Sequence, residues 1–518
     1  MLRFDDPSFP RMLRITDQTG NYKKRLRRKR DGTMKPTETF LWHDYETFGA
    51  NPMADRPAQF AAQRTDMDLN PVGDPVVWYC APSNDVLPHP MACLITGITP
   101  QEALEKGEAE SVFAQHIHEE MMVPGTCTAG YNSIRFDDVV SRNLFYRNLR
   151  DAYEREYKNG NSRWDLIDLA RLCYALRPEG IKWPMHEPGK PSFRLEDLSA
   201  ANHIEHEGAH DALSDVRATI GLARLIREKQ PRLFEWGLSM RRQRTAAELL
   251  DPTSPKPILH TSSRIPATRG CTSMVLPLAV LPDRPKSYVV YDLSADPEAL
   301  LNEPAETLYD LVFTPADDLP EGIERVPLKL VHSNHVPMLA PLGTLKGVDT
   351  DRIGMDPAQC RQNATRILPA LSQVRNKVIE VFSHASDRFE TASDPDRMLY
   401  SGGFFSAADR NLMNKILGIA PKNLGGHLWS FQDERLQTML FRYRARNFPQ
   451  TLNQEETRIW DKDRRARLVE TEDPDYFTIA HYHQAVAQLR EERIDEPKSL
   501  KILDKLDAWL QQSGIENL

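Results

Sequence analysis

The run Phe40-Leu41-Trp42-His43-Asp44-Tyr45-Glu46-Thr47-Phe48-Gly49 constrains this chain most, because it sets two carboxylates at i and i+2 on a short apolar strand. Side chains at that spacing share one face of a strand, with Cα atoms roughly 6.6 Å apart. Two acids projecting side by side beyond a hydrophobic strand repel one another unless a cation sits between them. Oxygen-only ligation favours a hard ion such as magnesium or manganese. The pair therefore reads as half of a metal site. A solvated strand end carries the same residues, so the rest of the chain has to supply the missing ligands.

A second constellation follows the strand-like Thr126-Cys127-Thr128-Ala129, in Gly130-Tyr131-Asn132-Ser133-Ile134-Arg135-Phe136-Asp137-Asp138. Gly130 permits a tight turn, and the apolar spacing beyond it predicts a helix with Asp137 and Asp138 in its first turn. Acids are also what an ordinary helix start prefers. That reading does not account for an Asn and an Asp standing together at the end of a buried strand. A third piece is His210-Asp211-Ala212-Leu213-Ser214-Asp215, which opens a helical pattern through Val216, Ile220, Leu222, Ala223 and Ile226. Five residues are about 140° of further rotation on an ideal helix, so His210 and Asp215 face one ion only if His210 sits in the entry loop. A histidine before a helix is equally a capping or packing residue.

The three pieces taken together, Asp-x-Glu on a strand, Asn-x-x-x-Phe-Asp at a strand-to-helix turn and His-x-x-x-x-Asp at a helix, resemble the DEDDh exonuclease superfamily. The resemblance implies a ribonuclease-H-like fold in which Asp44, Glu46, Asp137 and Asp215 hold two metal ions and His210 is the general base. It narrows to the bacterial exonuclease I family on His43–Gly49, Arg56-Pro57-Ala58-Gln59-Phe60-Ala61-Ala62, Leu94–Glu102 and Tyr174-Ala175-Leu176-Arg177-Pro178-Glu179-Gly180. Pro191–Glu196, Gln230–Phe234 and Tyr443-Arg444-Ala445-Arg446-Asn447-Phe448-Pro449 extend it from about Phe40 to near the C-terminus.

That resemblance implies processive 3′→5′ degradation of single-stranded DNA to nucleoside 5′-monophosphates, in repair and recombination. One ion on Asp44, Glu46 and Asp215 acidifies a water, and the other, on Asp44 and Asp137, meets the leaving 3′-oxygen. Ions about 3.5–4 Å apart clamp both oxygens of the displacement, magnesium being expected and manganese able to substitute. His210, with an ordinary pKa of about 6.5, takes the water's proton. Glu46 also faces the substrate. Arg142, Tyr153, Tyr157, Arg171 and Arg194 fall where the family contacts the strand, aromatic faces stacking on bases and arginines neutralising phosphates. A helix that is half core and half solvated face places Tyr and Arg in the same way. The family also binds the acidic tail of the single-stranded-DNA-binding protein. Arg177, Trp236 and Lys346 match that surface, Trp236 standing for a tyrosine and Pro341 for a glutamine.

Length and composition fit this reading. A chain of 518 residues accommodates three or four domains. The expected divisions are a basic, disordered extension at 1–36, the exonuclease domain at 37–230, an SH3-like β-rich domain at 231–385, and a helical C-terminal domain at 386–518. The first follows from Lys23–Arg30, where seven of eight residues are basic. That arm either holds DNA non-specifically or is an unselected leader, with Met34 an alternative start. Phe441–Phe448 interleaves cations and aromatics, as a strand-binding surface or an ordinary packed helix would. The six cysteines form no Cys-x-x-Cys pair, which suits reduced thiols. No apolar run spans a bilayer, so a soluble, cytoplasmic monomer is expected. The net charge of −8 does not exclude a nucleic acid, because a groove carries such contacts. An RNA-trimming relative and a binding scaffold with a dead site are the competing readings. The flanking domains speak against the first, and the complete set of acids against the second.

Overall fold

The computed structural model describes residues 37–206, 211–384 and 392–518. The basic arm lies outside them. Glu38–Leu518 forms one compact unit.

The organising element is β1, Thr39–Thr47. Its side chains alternate: Phe40 and Trp42 enter a core shared with Trp164, Val216 and Leu222. Leu41 and Tyr45 enter another, with Phe60, Phe113, Ile117 and Leu144. A strand buried on both faces must be central in its sheet. It pairs antiparallel with β2, Pro57–Thr65, and parallel with β4, Thr126–Gly130. With β3, Val76–Tyr79, and β5, Ser162–Asp165, the order is β3-β2-β1-β4-β5. Helix Ala212–Lys229 covers the Phe40/Trp42 face, and helices Glu110–Met121 and Asp137–Arg147 cover the other. This is the ribonuclease-H-like mixed sheet that the sequence predicts. Two short helices, Pro90–Thr96 and Pro100–Lys106, and the four-residue β5 are not anticipated by it.

A short hairpin follows, β6, Met185–Glu187, with β7, Lys190–Pro191. Beyond residue 257 a second sheet is antiparallel throughout, in the order β11-β10-β9-β8-β12. Its strands are β8, Ile258–Thr261; β9, Thr272–Leu281; β10, Arg284–Asp292; β11, Leu328–His332; and β12, Met338–Pro341. The described residues after 392 are helical, with helices Ala407–Leu417, Arg435–Asn447, Gln454–Leu468, Ile479–Glu492 and Pro497–Ser513. All six cysteines are buried and free. Among the described residues no helix is long and apolar enough to cross a membrane.

Two apolar patches dock the C-terminal helices on the first sheet's helical layer. Leu503, Leu506 and Tyr482 pack against Phe48, Leu87 and Cys93. Leu436, Met439 and Leu440 pack against Tyr146 and Leu149. Between these patches lies a buried ion lattice. The Asp85 carboxylate, with no exposed side-chain area, sits 2.8 Å from Arg446, 3.1 Å from Arg467 and 3.8 Å from Arg56. Arg446 also reaches Asp396, which lies 3.2 Å from Arg442. Arg444 pairs with Glu456 at 2.7 Å. The cation-rich stretch Phe441–Phe448 is thus the buried side of a packed helix, since Arg442, Arg444 and Arg446 all turn inward to carboxylates.

Burial alone would raise the Asp85 pKa, but Arg446, Arg467 and Arg56 hold it well below the usual carboxylate range. A carboxylate depressed in the folded state contributes stability that is present above its unfolded pKa and lost as pH falls through the folded value. Asp85→Ala removes the carboxylate that three guanidinium groups share and leaves excess positive charge in a dry interior, even though Arg446 keeps Asp396, Arg467 keeps Asp463 and Arg56 keeps Glu110, at a cost of about 3–5 kcal/mol. Calorimetry is expected to show the variant melting well below the wild type at neutral pH, with the gap narrowing below about pH 4.

Candidate active site

The alternation that buries Phe40 and Trp42 carries Asp44 and Glu46 onto the same face of β1, where the strand leaves the core. Helix Ala212–Lys229 lies against that face and brings Asp215 in from its first turn. One carboxylate oxygen from each of Asp44, Glu46 and Asp215 falls within 4.8 Å of the others. Gln59, opposite Glu46 in the β1/β2 register, fixes this approach: its side-chain oxygen accepts the Ala212 N–H at 3.2 Å, and its amide donates to the Tyr79 hydroxyl at 2.8 Å. The helix is capped by Asp211, which accepts the Ser214 N–H at 3.2 Å. Sequence periodicity gave no hint of Gln59, whose neighbours on β2 are all buried.

The fourth acid arrives from the other side of the sheet. Pairing between β1 and β4 ends at Trp42↔Ala129, so the edge of β1 beyond that point has free backbone groups. The Tyr45 N–H there donates to Asp137 Oδ1 at 3.0 Å. Gly130 permits the turn that leads to Asp137: a Cβ on it would lie 2.7 Å from the Ser133 Cβ and 3.0 Å from the His43 carbonyl. Asn132 then adopts a left-handed backbone, φ 62°, a conformation that Asn tolerates better than most residues. Asp165, at the end of β5, organises this turn. Its carboxylate accepts the N–H groups of Asn132 at 2.9 Å, Ile134 at 3.1 Å and Ile167 at 3.1 Å. Of the adjacent aspartates, Asp138 is buried against Arg155 at 2.6 Å and Arg163 at 2.9 Å. Burial would raise its pKa, and those arginines depress it.

Asp44 is raised well above the usual range, first by burial and then by Asp137, Glu46 and Asp215. Glu46 is pushed up to about 9 by burial, Asp215 and Asp137. Burial, against the Tyr45 N–H bond, also raises Asp137. Hard oxygen donors that disfavour one another's charge this strongly fit a divalent cation, which removes the repulsion. His206 Nε2 bonds Asp215 Oδ1, a contact absent from the sequence reading. His210 lies outside the described residues, and the helix begins at Ala212.

Asp44 and Asp215 open into a cavity of about 500 Å³ that also exposes Asn132, Arg171, Phe193 and Arg194. The expected strand contacts differ in how far they are engaged. Arg194 is exposed, and Tyr157 is 67 % exposed. Arg142 is buried and bidentate to Glu156, at 2.7 and 3.1 Å, with Tyr153 stacked on it at 5.3 Å. Arg171 is paired with Asp168 at 2.6 Å. A larger cleft of about 1040 Å³ exposes Tyr153 and Tyr157 together with Phe404 and Arg410 from the C-terminal region. On the opposite surface Arg177 donates to the carbonyls of Thr344 at 3.0 Å and Lys346 at 3.1 Å, and Trp236 to that of Leu339 at 2.7 Å. Arg177, Trp236 and Lys346 therefore gather around the end of β12.

A central mixed sheet with a cluster of acids at the end of its first strand defines a metal-dependent nuclease of the ribonuclease-H-like class. Family models match as Exonuclease over residues 41–223, Exonuclease I SH3-like domain over 241–384 and Exonuclease I C-terminal domain over 393–513. The chain belongs to the exonuclease I family. It is 46% identical to the exodeoxyribonuclease I of Escherichia coli (strain K12) over 478 residues, covering 92% of this chain and 98% of that protein. The solved exonuclease I of Methylocaldum szegediense superposes with a TM-score of 0.86 at 48% identity, covering 92% of this chain and 99% of that one. E. coli exonuclease I in complex with a dA16 oligonucleotide gives a TM-score of 0.87 at 44% identity, covering 92% and 100%. Related solved structures, each with a TM-score near this and 44% identity, include a zinc-bound E. coli ExoI–ssDNA complex of TM-score 0.86, 92% and 99% covered. An ExoI/SSB-Ct complex has TM-score 0.85 with the same coverage.

An acid whose folded pKa is raised contributes stability that is fully present below its unfolded value and is lost as pH rises through the folded one. The chelated protein is therefore expected to lose Tm between about pH 4.3 and the value near 9 of Glu46. The gain in Tm on adding magnesium should grow across the same window, because binding releases protons. Glu46→Gln in chelator should melt higher than the wild type at pH 8. Differential scanning fluorimetry with and without EDTA checks both outcomes.

Proposed function

We propose that the chain is a 3′→5′ exonuclease of single-stranded DNA that releases nucleoside 5′-monophosphates and acts in DNA repair and recombination as a cytoplasmic monomer. The observation that carries this reading is the Asp44, Glu46 and Asp215 cluster, of which Asp44 and Asp215 open into a pocket, in a family whose solved members hold oligonucleotides. Asp44, Glu46 and Asp215 would hold one divalent ion, and Asp44 with Asp137 a second, magnesium being the physiological choice and manganese a substitute. Such ions would supply acidification of a water and charge stabilisation at the leaving 3′-oxygen.

The chain's own residues do the rest. His210 accepts the proton of the attacking water. Asp165 holds the Asn132–Asp137 turn in place, so that Asp137 meets the cluster from the β4 side. Glu46 and Arg194 border the terminal phosphodiester, while Tyr157 offers a free ring face to any base. Arg142 keeps Tyr153 in place from beneath rather than reaching freely for phosphate, and Arg171 does the same for the Phe193 wall. Around the end of β12, Lys346 supplies an exposed cation, and Arg177 and Trp236 brace the backbone beside it. The ExoI/SSB-Ct complex in the family supports a partner of that kind for this surface: an acidic protein tail, that of the single-stranded-DNA-binding protein.

With magnesium, a 3′-labelled single-stranded oligonucleotide is expected to yield labelled mononucleotide at once. A 5′-labelled one should shorten progressively, and duplex and RNA should resist. EDTA or Asp44→Ala should lower the rate by about a thousandfold or more, equivalent to about 4 kcal/mol of transition-state stabilisation. Binding of the oligonucleotide in EDTA should change only a few-fold, because most strand contacts lie away from the acids. Digestion of RNA in preference to DNA would reassign the substrate, and tight binding without cleavage would leave a scaffold.

A further inference from the structure

The pocket beside Asp44 and Asp215 is not built by the first sheet and its helices alone. Ser263, Ile265, Pro266, Ala267 and Cys271 also line it, all from the loop between β8 and β9 in the SH3-like region. We infer that this loop, Ser262–Cys271, forms the far wall of the pocket for the strand's terminal nucleotide and sets how large a base fits there. The inference rests on the nuclease reading above.

Four observations support it. The loop is closed on itself: the Ser262 N–H donates to the Cys271 carbonyl at 2.8 Å, and the Cys271 N–H to the Pro266 carbonyl at 3.1 Å. Its last turn places two successive residues, Gly270 and Cys271, in the left-handed region at φ 58° and 52°. For cysteine that conformation costs energy, and the surrounding structure must enforce it. The loop is also pressed against the nuclease region. A Cβ on Gly270 would stand 3.3 Å from the Ala175 Cβ of that region, with Ile353 of the loop's own region 2.9 Å away on the other side, and Cys271 packs with Tyr174 and Phe193 in one apolar cluster.

The third observation is a fastening. Arg352, from the SH3-like region, lies 4.6 Å over the Tyr174 ring and donates to the carbonyls of Tyr174 at 2.6 Å and Ala175 at 2.9 Å. The fourth is the character of the pocket. Acids stand at one end and Arg194 at the rim. The Tyr131 hydroxyl fixes the Phe193 backbone at 2.6 Å, and an apolar wall of Ile265, Pro266 and Ala267 completes the enclosure. The volume of about 500 Å³ lies within the range of about 300–1,000 Å³ for small-molecule sites. A site with metal-binding acids for a phosphate, apolar side chains for a base and the exposed Arg194 beside them suits a single nucleotide.

The test narrows the wall without touching the acids. Ala267→Leu projects bulk into the cavity, and Ser263→Trp does so from an exposed position, where folding is least affected. Rates are measured on full-length protein with oligonucleotides that differ only in a terminal dA or dT, and dAMP binding is measured by equilibrium dialysis. Both variants are expected to lower kcat/KM about tenfold or more, to penalise terminal dA more than dT, and to weaken dAMP. Unchanged kcat/KM in both variants overturns the inference, as does an equal loss on dA and dT with dAMP binding intact. Wild-type protein that fails to digest DNA while its dAMP binding is still blocked by Ser263→Trp would sink the nuclease reading and leave the nucleotide pocket standing.

Discussion

Mutual repulsion among carboxylates is the constraint that the rest of this structure serves. Asp44, Glu46 and Asp215 are held close enough for one ion to touch all three, and each disfavours the others' charge. Left on mobile segments they would swing apart into water, which costs nothing but a few rotamers. They stay together because each is mounted on something stiff. Asp44 and Glu46 sit on a strand anchored by Phe40 and Trp42, Asp215 on a helix tied to that strand through Gln59, and Asp137 on a turn closed by Asp165. The site is therefore preorganised at the expense of local stability, as functional constellations generally are.

The same chain handles buried charge in the opposite way about the C-terminal helices. There the carboxylates of Asp85 and Asp396 each meet more than one guanidinium group, so attraction replaces repulsion. Such lattices add less net stability than their contact number suggests, because desolvating the partners is costly. What they add is uniqueness: Arg446 satisfies Asp85 and Asp396 together only in one placement of its helix against the nuclease layer. Apolar patches on either side, around Tyr482 and around Leu436, supply the burial that drives association. A tightly fixed C-terminal region also fixes Phe404 against Tyr153, their rings 5.9 Å apart, and brings Arg410 into the cleft that Tyr153 and Tyr157 line.

What was legible in the sequence followed the strength of local signals. The alternation of Phe40, Leu41, Trp42 and Tyr45 announces a strand buried on both faces, and the acids that break it at Asp44 and Glu46 announce the site. The helix after Asp211 and the turn after Gly130 carried capping and glycine signatures of the same clarity. Residues 162–165 left no strand signal, only the helix start at Asp165, since a strand of four residues with Arg163 in it has neither length nor an apolar run. Arg163 belongs there because Asp138 awaits it across the fold, a pairing that no local window contains. The tie from Gln59 to Ala212, the hold of Asp165 on the Asn132 turn and the placement of the loop Ser262–Cys271 were invisible for the same reason. Each acts through a partner distant in sequence, and the chemistry of a single Gln, Asp or Ser does not declare what it will face. Phe441–Phe448 shows the converse. Its cations and aromatics are conspicuous, yet the carboxylates that absorb them lie far away in the chain.

The division of labour in the terminal pocket bears on why a nuclease sheet with a complete set of acids is followed by so much more chain. Metal-binding acids act on phosphate and are indifferent to what the phosphate joins. A sheet edge alone would present them to any passing backbone. A wall from a second region, with Gly270 and Cys271 held in the left-handed conformation and Arg352 bonded to Tyr174, limits the space beside the acids on one side. An internal phosphodiester has chain on both sides, and a wall beside the acids leaves less room for that second arm than for a free end. On the proposed reading, such a wall would favour an end over an interior position, the property that separates an exonuclease from an endonuclease. The acids supply reactivity, and the loop from the neighbouring sheet restricts where along the strand that reactivity is applied.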